Sequence, residues 1–373
     1  MSRAGSTDRR VGDIRLLGRR PIARRARGRV RGVTRNPRKR TGVLTLRSMK
    51  PAIRLTGVRK TFGHMTAVSD LDLEVPRGGL YGFIGPNGAG KTTTIRMIMS
   101  ILFPDAGDLS ILGHASALEA KDRIGYLPEE RGLYKRMKVG PFLRYLARLK
   151  GADGPDLDGR VAGALERVGL KGVESKRCDE LSKGMSQKVQ FVGATIHKPD
   201  LLILDEPFSG LDPVSMRLLR DLILEEHARG ATVLFSTHVM PQAEEICEHV
   251  IMVHEGRKVL DADLSEVRSR YDPRTIRFEP LHSEADTTGL ASIPGVERVM
   301  TEGGELEILL RAGTDPAAAM RRFMETTPAA RIELSRPRLE DVFIELVAGG
   351  AAATEAERLR AALRETAADE VSP

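Results

Sequence analysis

The most constraining feature of this sequence is a glycine-rich motif, GPNGAGKT, at residues 85–92. It fits the pattern G-x-x-x-x-G-K-[ST], a loop whose backbone N–H groups bind phosphate oxygens. The apolar run at 80–84 predicts a buried strand before the loop, and residues 93–99 predict a helix after it. Because strand, loop and helix form the context that this motif requires, we predict a nucleoside-triphosphate site here.

Each residue type in the loop has an expected role. Lys91 is expected to reach the β- and γ-phosphates, and the hydroxyl of Thr92 to bind Mg²⁺. Glycine at 85, 88 and 90 permits tight turns and close approach of the backbone to a ligand. The predicted nucleotide contacts of this segment are Gly85, Pro86, Asn87, Gly88, Ala89, Gly90, Lys91, Thr92 and Thr93.

Two further apolar stretches predict buried strands that are followed by polar residues. Residues 201–204 are four aliphatics in a row, typical of a strand buried on both faces, and Asp205 and Glu206 follow directly. Ligands of parallel sheets bind outside the carboxyl ends of the strands, so we expect one carboxylate to face Mg²⁺ and the other a water molecule. Residues 232–236 predict another buried strand, with His238 just beyond it.

Phe62 and Ser182 belong to less specific patterns. Phe62 is predicted to lie on a short loop between strands at 53–58 and 71–75, where it is either a platform for stacking a purine or a core phenylalanine. Ser182 is a suitable N-cap for a helix that opens at 181–185. On its own, this last pattern indicates only an ordinary capped helix.

Taken in chain order, five motifs resemble those of the nucleotide-binding subunit of ATP-binding cassette (ABC) transporters. The resemblance covers roughly residues 51–265. The signature discriminates this family, because Walker motifs alone occur in many NTPases. The motifs are Walker A (85–92), the signature (181–185), Walker B (201–206), the D-loop (209–212) and the switch histidine, His238.

The resemblance implies an α/β fold, namely a P-loop NTPase core of ABC type with a helical subdomain at about 130–197. It also implies a homodimer in which ATP lies between Walker A of one copy and Ser182 and Gly184 of the other. The expected catalytic residues are Lys91, Glu206 and His238; the expected Mg²⁺ ligands are Thr92, Glu129 and Asp205; and Phe62 and Asp212 are expected to contribute to nucleotide binding.

The sequence departs from the family pattern in two places. The signature usually begins Leu-Ser-Gly-Gly-Gln, whereas this chain has Lys183 and Met185 at its third and fifth positions. These changes are expected to alter dimer contacts. Glu129 replaces the glutamine of the Q-loop, and its added negative charge beside Asp205 and Glu206 is expected to weaken nucleotide binding or to raise a carboxylate pKa.

Residues 272–348 predict a small α+β domain that follows the nucleotide motifs. It resembles the accessory domain of sodium and drug-resistance exporters, and its expected role is regulation or dimer contact. A charged, Ala-, Glu- and Arg-rich tail at 349–373 is expected to form an exposed helix at best.

The resemblance implies an ATPase subunit of an exporter, peripheral to the cytoplasmic face of the membrane, that powers an integral membrane permease on a separate chain. The segment 129–145 is the expected docking surface for that permease. The competing hypothesis is a non-transport ABC ATPase that acts on ribosomes or DNA. No nucleic acid partner is expected under the first hypothesis.

Composition places two bounds on the chain. At 373 residues it is long enough for two domains, and it has no run of eighteen apolar residues that would predict a transmembrane helix. Its only cysteines, Cys178 and Cys247, come without a secretory signal, which predicts reduced thiols in a reducing cytosol.

The positive net charge comes from an arginine-rich leader at residues 1–48. This leader holds sixteen Lys and Arg against two Asp, a net charge of +14, which leaves −6 for the remainder of a +8 chain. Its apolar residues follow no helical or strand period, so we predict a disordered segment. Three interpretations stay open: a segment that binds anionic lipid or nucleic acid, a targeting segment, or a stretch that is not translated in the natural protein.

We expect translation to begin at Met49, directly before the residues at which the alternating strand pattern starts. The intact mass of the native protein should therefore correspond to a chain that lacks residues 1–48. Recovery of peptides from that segment in native protein would contradict this expectation.

Overall fold

The computed structural model describes residues 50–130, 132–270, 274–282, 284–302, 304–311, 313–335 and 338–348. The predicted leader at 1–48, the expected start at Met49 and the predicted tail at 349–373 lie outside these residues.

Strands and helices are interspersed along the described chain. The strands are β1 (Ile53–Phe62), β2 (Met65–Val75), β3 (Leu80–Ile84), β4 (Ala106–Ile111), β5 (Ile124–Leu127), β6 (Leu201–Asp205), β7 (Thr232–Thr237), β8 (His249–His254), β9 (Arg257–Asp263), β10 (Thr275–Pro280), β11 (Val296–Glu302), β12 (Glu305–Leu310) and β13 (Ala329–Ser335). The helices are α1 (Lys91–Ile98), α2 (Val139–Leu149), α3 (Leu157–Arg167), α4 (Lys183–Thr195), α5 (Pro213–Ala228), α6 (Met240–Ile246), α7 (Leu264–Arg270), α8 (Pro316–Thr326) and α9 (Leu339–Ala348).

A six-stranded sheet with the order β5-β6-β7-β3-β8-β9 positions the site. Its first five strands are parallel, and β9 pairs antiparallel at the edge. Every residue of β3 and β6 is buried, because helices and a second sheet cover both faces of this sheet. The strands predicted at 80–84 and 201–204 are therefore confirmed as central strands. Their carboxyl ends lie at one edge.

A second sheet, with the order β2-β1-β4, is antiparallel and has Phe62 at its end. The prediction that Phe62 lies on a loop between two strands is wrong, because the β1–β2 ladder continues to the pair of Phe62 and Met65. The strand continues through Lys60 and Thr61, where the sequence no longer alternates between apolar and polar residues, so its end could not be read from the pattern. Phe62 is 45% exposed, so the alternative of a core phenylalanine is also wrong.

Helices α2, α3 and α4 lie between β5 and β6 in the chain, where the sequence predicts a helical insert. Their apolar faces form one core, with Phe142, Leu143, Val161, Leu165 and Phe191 all buried. Ser182 is the N-cap of α4, as predicted: its hydroxyl accepts a hydrogen bond from the N–H of Met185 at 3.2 Å. The limits of about 130–197 for this subdomain stay a prediction.

The region after α7 contains a four-stranded antiparallel sheet, with the order β11-β12-β10-β13, and helix α8. Phe278, Ile308 and Phe323 pack in an apolar core that belongs to this sheet and helix. Helix α9 follows, and its apolar residues pack elsewhere. The predicted α+β character of this region is confirmed, while α6 and α7 were not foreseen because seven residues show little helical periodicity.

Among the described residues, no helix has the length and apolarity needed to cross a membrane.

His197, between α4 and β6, gives the fold a pH-dependent contribution to stability. Its Nε2 lies 3.1 Å from the carbonyl oxygen of Ile124. Burial, together with the nearby Lys150 and Arg229 cations, lowers the pKa of His197 to about 4. Because the unfolded chain binds a proton near pH 6.5 and the folded chain does not, stability falls as the pH decreases through this window.

We predict that the free energy of unfolding decreases by about 2 kcal/mol between pH 7 and pH 5 through this residue. In the His197→Gln variant, which keeps an N–H donor and does not titrate, this part of the decrease should be lost. Urea denaturation at the two pH values measures the effect. Equal slopes in the wild type and the variant would contradict the prediction.

Candidate functional site

The P-loop joins β3 to α1 and requires glycine at two positions because the neighbouring backbone is close. A Cβ added at Gly85 would lie 2.2 Å from the carbonyl oxygen of Val253. Gly90 is the N-cap of α1 at φ 99°, and a Cβ there would lie 2.4 Å from the carbonyl oxygen of Ala67. The loop is therefore fixed against β8 and β2, with the N-terminus of α1 facing the site.

Lys91 is the buried cation of the site, with 6% of its surface exposed. Its ammonium donates hydrogen bonds to the carbonyl oxygens of Gly85 at 2.8 Å and Pro86 at 3.2 Å. It also lies 3.7 Å from a carboxylate oxygen of Glu206. Burial lowers the pKa of Lys91, although the charges of Glu206 and Asp205 act in the opposite direction. Two buried carboxylates therefore stabilise its charged form.

Asp205 ends β6 with a fully buried carboxylate. Its Oδ1 accepts hydrogen bonds from the hydroxyls of Ser236 at 2.5 Å and Thr92 at 3.4 Å. Its Oδ2 is buried and has no hydrogen-bond partner in the described part of the chain. Burial raises the pKa of Asp205 to about 6; the hydrogen bond from Ser236 opposes the rise, and the charges of Glu129 and Glu206 add to it.

This carboxylate fits a divalent cation. A buried oxygen without a partner next to a hydroxyl is a hard-oxygen donor set of the kind that Mg²⁺ prefers. Glu129, the third predicted Mg²⁺ ligand, is exposed at the end of β5 and acts on Asp205 through its charge. The charge of Glu129 therefore acts on the pKa of Asp205 in the expected direction, as a smaller contribution than burial.

Glu206 has a left-handed backbone conformation, with φ 47°. Its N–H donates to the carbonyl oxygen of Ser236 at 3.2 Å and contacts the Ser236 hydroxyl at the same distance. Its carboxylate lies 2.9 Å from Nδ1 of His238. Because an ionised carboxylate only accepts hydrogen bonds, Nδ1 carries the proton in that state. The unusual backbone turn thus orients a buried carboxylate between Lys91 and His238.

The predicted residues of the signature and the D-loop do not join the P-loop cluster within the described part of this chain. In the part of the chain that the structure describes, neither Ser182 nor Gly184 forms a hydrogen bond or ion pair with the P-loop. Asp212 is the N-cap of α5: its carboxylate accepts from the N–H groups of Val214 and Ser215, each at 3.0 Å. The structure therefore unites Lys91, Thr92, Asp205, Glu206 and His238, and leaves Ser182, Gly184 and Asp212 outside this cluster.

The signature helix α4 contacts the D-loop within the same chain. The side-chain amide of Gln187 donates to the carbonyl oxygen of Pro207, two residues before the D-loop, at 3.0 Å. Lys183, one of the departures from the family signature, packs against Gly210, where an added Cβ would lie 2.1 Å from Cε of the lysine. Lys183 therefore has a contact within its own subunit.

Phe62 lies at the exposed end of β1 with the ammonium of Lys60 at 5.6 Å from the ring centroid. This lysine also donates to the carboxylate of Asp105 at 2.7 Å. An exposed ring beside a held cation is compatible with base stacking, and the role of Phe62 in nucleotide binding stays a prediction.

Ser236 is a site residue that the sequence analysis did not single out. Its hydroxyl contacts both Asp205 and the N–H of Glu206. The pairing of β6 with β7 places Ser236 directly opposite Asp205. The sequence shows only a serine at the carboxyl end of a buried strand. Its contact with Asp205 could be predicted only by knowing that β7 pairs with β6.

Two family models and several relatives match this chain. A family model described as ABC transporter matches residues 68–209, and one described as the C-terminal domain of DrrA1-3-like ATP-binding proteins matches residues 263–347. The uncharacterized ABC transporter ATP-binding protein YhaQ of Bacillus subtilis is 41% identical over 293 residues, which are 78% of this chain and 96% of that protein.

A second relative and a solved structure extend the comparison. The Nod factor export ATP-binding protein I of Cupriavidus pinatubonensis is 33% identical over 310 residues, with 81% of this chain and 93% of that protein covered. A solved structure of the ATP-binding subunit of an ABC transporter has a TM-score of 0.55 and 31% identity, and the match covers 59% of this chain and 92% of that chain.

The chain therefore belongs to the family of ABC transporter ATP-binding proteins. Members of this family bind and hydrolyse ATP, and we describe the chain as an ATPase of this type. The predicted fold class, a P-loop NTPase core of ABC type followed by a small α+β region, is confirmed.

We predict that Ser236→Ala raises the KM for Mg·ATP by about tenfold, because Asp205 loses a charge-assisted hydrogen bond worth on the order of 1.5 kcal/mol. Steady-state phosphate release measures this effect. The matched control is Thr232→Val at the opposite end of β7, which removes the hydrogen bond from the Gly78 N–H at 2.9 Å. The control should lower stability and leave KM unchanged. Equal KM values for the two variants would show that Ser236 is only structural.

Proposed function

We propose that this chain is the ATP-hydrolysing subunit of an exporter, peripheral to the cytoplasmic face of the membrane, and that the permease is a separate chain. Support for the direction comes from the resemblance to exporter subunits and from a relative named for Nod factor export. The domain limits, 51–265 and 272–348, are part of the same proposal.

The observation that carries the proposal is the buried arrangement of Lys91, Glu206 and His238 beside Asp205. Thr92 and Asp205 would hold Mg²⁺, with Glu129 contributing directly or through water. When bound, the ion supplies positive charge that stabilises the phosphate oxygens as the bond breaks. Lys91 and the N–H groups of the P-loop bind the β- and γ-phosphates.

Glu206 orients and polarises the attacking water in this mechanism. Its carboxylate is fixed by the left-handed backbone at Glu206 and by the imidazole of His238 at 2.9 Å. His238 holds the carboxylate in place and contacts the γ-phosphate. Catalysis of this type depends mainly on positioning and on fixed charges in a site from which water is excluded.

A second copy of the chain completes the site in this proposal. Ser182 is exposed, and it makes no contact with the P-loop of its own subunit in the described residues. In a head-to-tail dimer, Ser182 and Gly184 of one copy contact the γ-phosphate held by Walker A of the other. The monomer then hydrolyses ATP poorly.

We predict that Glu206→Gln abolishes phosphate release and allows ATP-dependent dimers to accumulate, because ATP binding persists without the carboxylate that polarises water. Light scattering after size exclusion measures the dimer. Adding Ser182→Arg should abolish that dimer through a clash with the bound phosphate, whereas Ser175→Arg, at another exposed serine of the helical region, should not. Normal turnover in Glu206→Gln would show that Glu206 is not the base.

The competing function, a non-transport ATPase on ribosomes or DNA, is favoured by the basic leader and opposed by the −6 charge of the remaining chain. Affinity purification of tagged full-length protein from a detergent extract separates the two. A polytopic membrane protein as the stoichiometric partner supports transport. Ribosomes or DNA in its place would refute the proposal.

A further inference from the structure

The buried apolar residues of helix α9, in the accessory region (272–348), pack in the ATP-binding core. The apolar core of the accessory sheet contains Ile276, Phe278, Ile308 and Phe323. The apolar residues of α9 belong instead to the large core that also contains residues of α6. The shared cluster includes Leu339, Val342, Phe343 and Ile344 from α9 and Met240, Ala243 and Ile246 from α6.

A carboxylate from α6 binds the N-terminus of α9. The side chain of Glu244 accepts a hydrogen bond from the N–H of Leu339. The first N–H groups of a helix have no partner within the helix, and the helix dipole favours a negative charge at this end. Arg268 of α7 donates to the carbonyl oxygen of Glu244 at 3.3 Å, so the connecting helix is tied to the same turn of α6.

The first turn of α6 is joined to the segment that carries His238. The hydroxyl of Thr237 donates to the side-chain oxygen of Gln242 at 2.8 Å and accepts from the N–H of Val239 at 3.0 Å. His238 lies between Thr237 and Val239 in the chain. A displacement of α6 would therefore be transmitted directly to the backbone on both sides of the histidine.

Helix α9 also contacts the end of β8. The ring of Phe343 packs edge-on against His254, with the centroids 5.5 Å apart and an interplanar angle of 79°. His254 ends β8 and directly follows Val253, whose carbonyl oxygen is packed against Gly85. Two residues further on, the N–H of Gly256 donates to the P-loop carbonyl of Ala89 at 3.0 Å.

We propose that α9 is an intramolecular brace that holds the P-loop and the His238 segment in their catalytic arrangement, with Glu244 and Phe343 as positioning residues. One end of the brace is the hydrogen bond between Glu244 and the N-terminus of α9. The other is the contact of Phe343 with His254. The accessory region thereby sets the rate of ATP turnover within its own subunit. This role concerns the ATPase activity of the family and does not depend on the direction of transport.

The primary test is Glu244→Ala in the full-length chain, with Glu244→Gln as the conservative variant because its amide oxygen still accepts from the Leu339 N–H. Phe343→Leu tests the second contact while keeping an apolar side chain in the core. Glu345→Ala is the matched control, since Glu345 lies on the exposed face of α9. The readouts are kcat and KM for ATP, together with hydrogen exchange of residues 85–91 and 238–246.

We expect Glu244→Ala and Phe343→Leu to lower kcat/KM by about three- to thirtyfold, with KM increased as well as kcat decreased. Exchange should accelerate at 238–246 in Glu244→Ala and at 85–91 in Phe343→Leu. Glu244→Gln and Glu345→Ala should remain within about twofold of the wild type. A lower fraction of folded protein would instead decrease kcat and leave KM unchanged.

The proposal is overturned if exchange within α9 accelerates in Glu244→Ala while KM and exchange at 238–246 stay at wild-type values. It is also overturned if Glu345→Ala has the same effect as Glu244→Ala. Neither result would affect the assignment of Glu206 as the base, because that assignment is tested by Glu206→Gln on a chain with α9 in place.

Discussion

The site depends on the parallel pairing of β6, β7 and β3, three strands that are distant in sequence and end at the same edge of one sheet. The pairing places Asp205 opposite Ser236 and Ile84 opposite Thr237. Strand pairing therefore brings together the P-loop, the Walker B carboxylates and the switch histidine, which lie far apart in the sequence. Since every residue of β3 and β6 is buried, a shift in register would be opposed by the whole apolar core.

This arrangement brings charged side chains together in a buried site, namely Lys91, Asp205 and Glu206. Buried charges are costly unless they are paired, and here the ammonium of Lys91 lies 3.7 Å from a carboxylate oxygen of Glu206, which His238 also binds. Asp205 remains under-compensated, with one oxygen that lacks a partner within the described residues and a pKa of about 6. An acidic group in this state favours a bound cation, which is the electrostatic reason that Mg²⁺ suits the site.

The accessory region shows how a second compact core can be linked to such a site. Its sheet has its own apolar cluster, but its last helix completes the core of the ATP-binding region. The N-terminus of that helix is bound by Glu244 of α6, and its aromatic residue packs on His254 at the end of β8. Glu244 is on the helix that is bonded to Thr237, next to His238, and His254 follows Val253, which contacts Gly85 of the P-loop. Movement of the accessory region would therefore displace residues next to the nucleotide site.

The sequence by itself determined the elements whose signals are local. The glycine pattern at 85–92, the aliphatic run of β6 followed by two carboxylates, and the N-cap at Ser182 each depend on neighbours a few residues away, and the structure contains all three elements as expected. Only the tertiary structure decided which strands are neighbours. It thereby gave Ser236 its role, extended β1 to Phe62 and placed α9 on α6, because these contacts join residues that are far apart in the chain and are selected by burial and strand pairing.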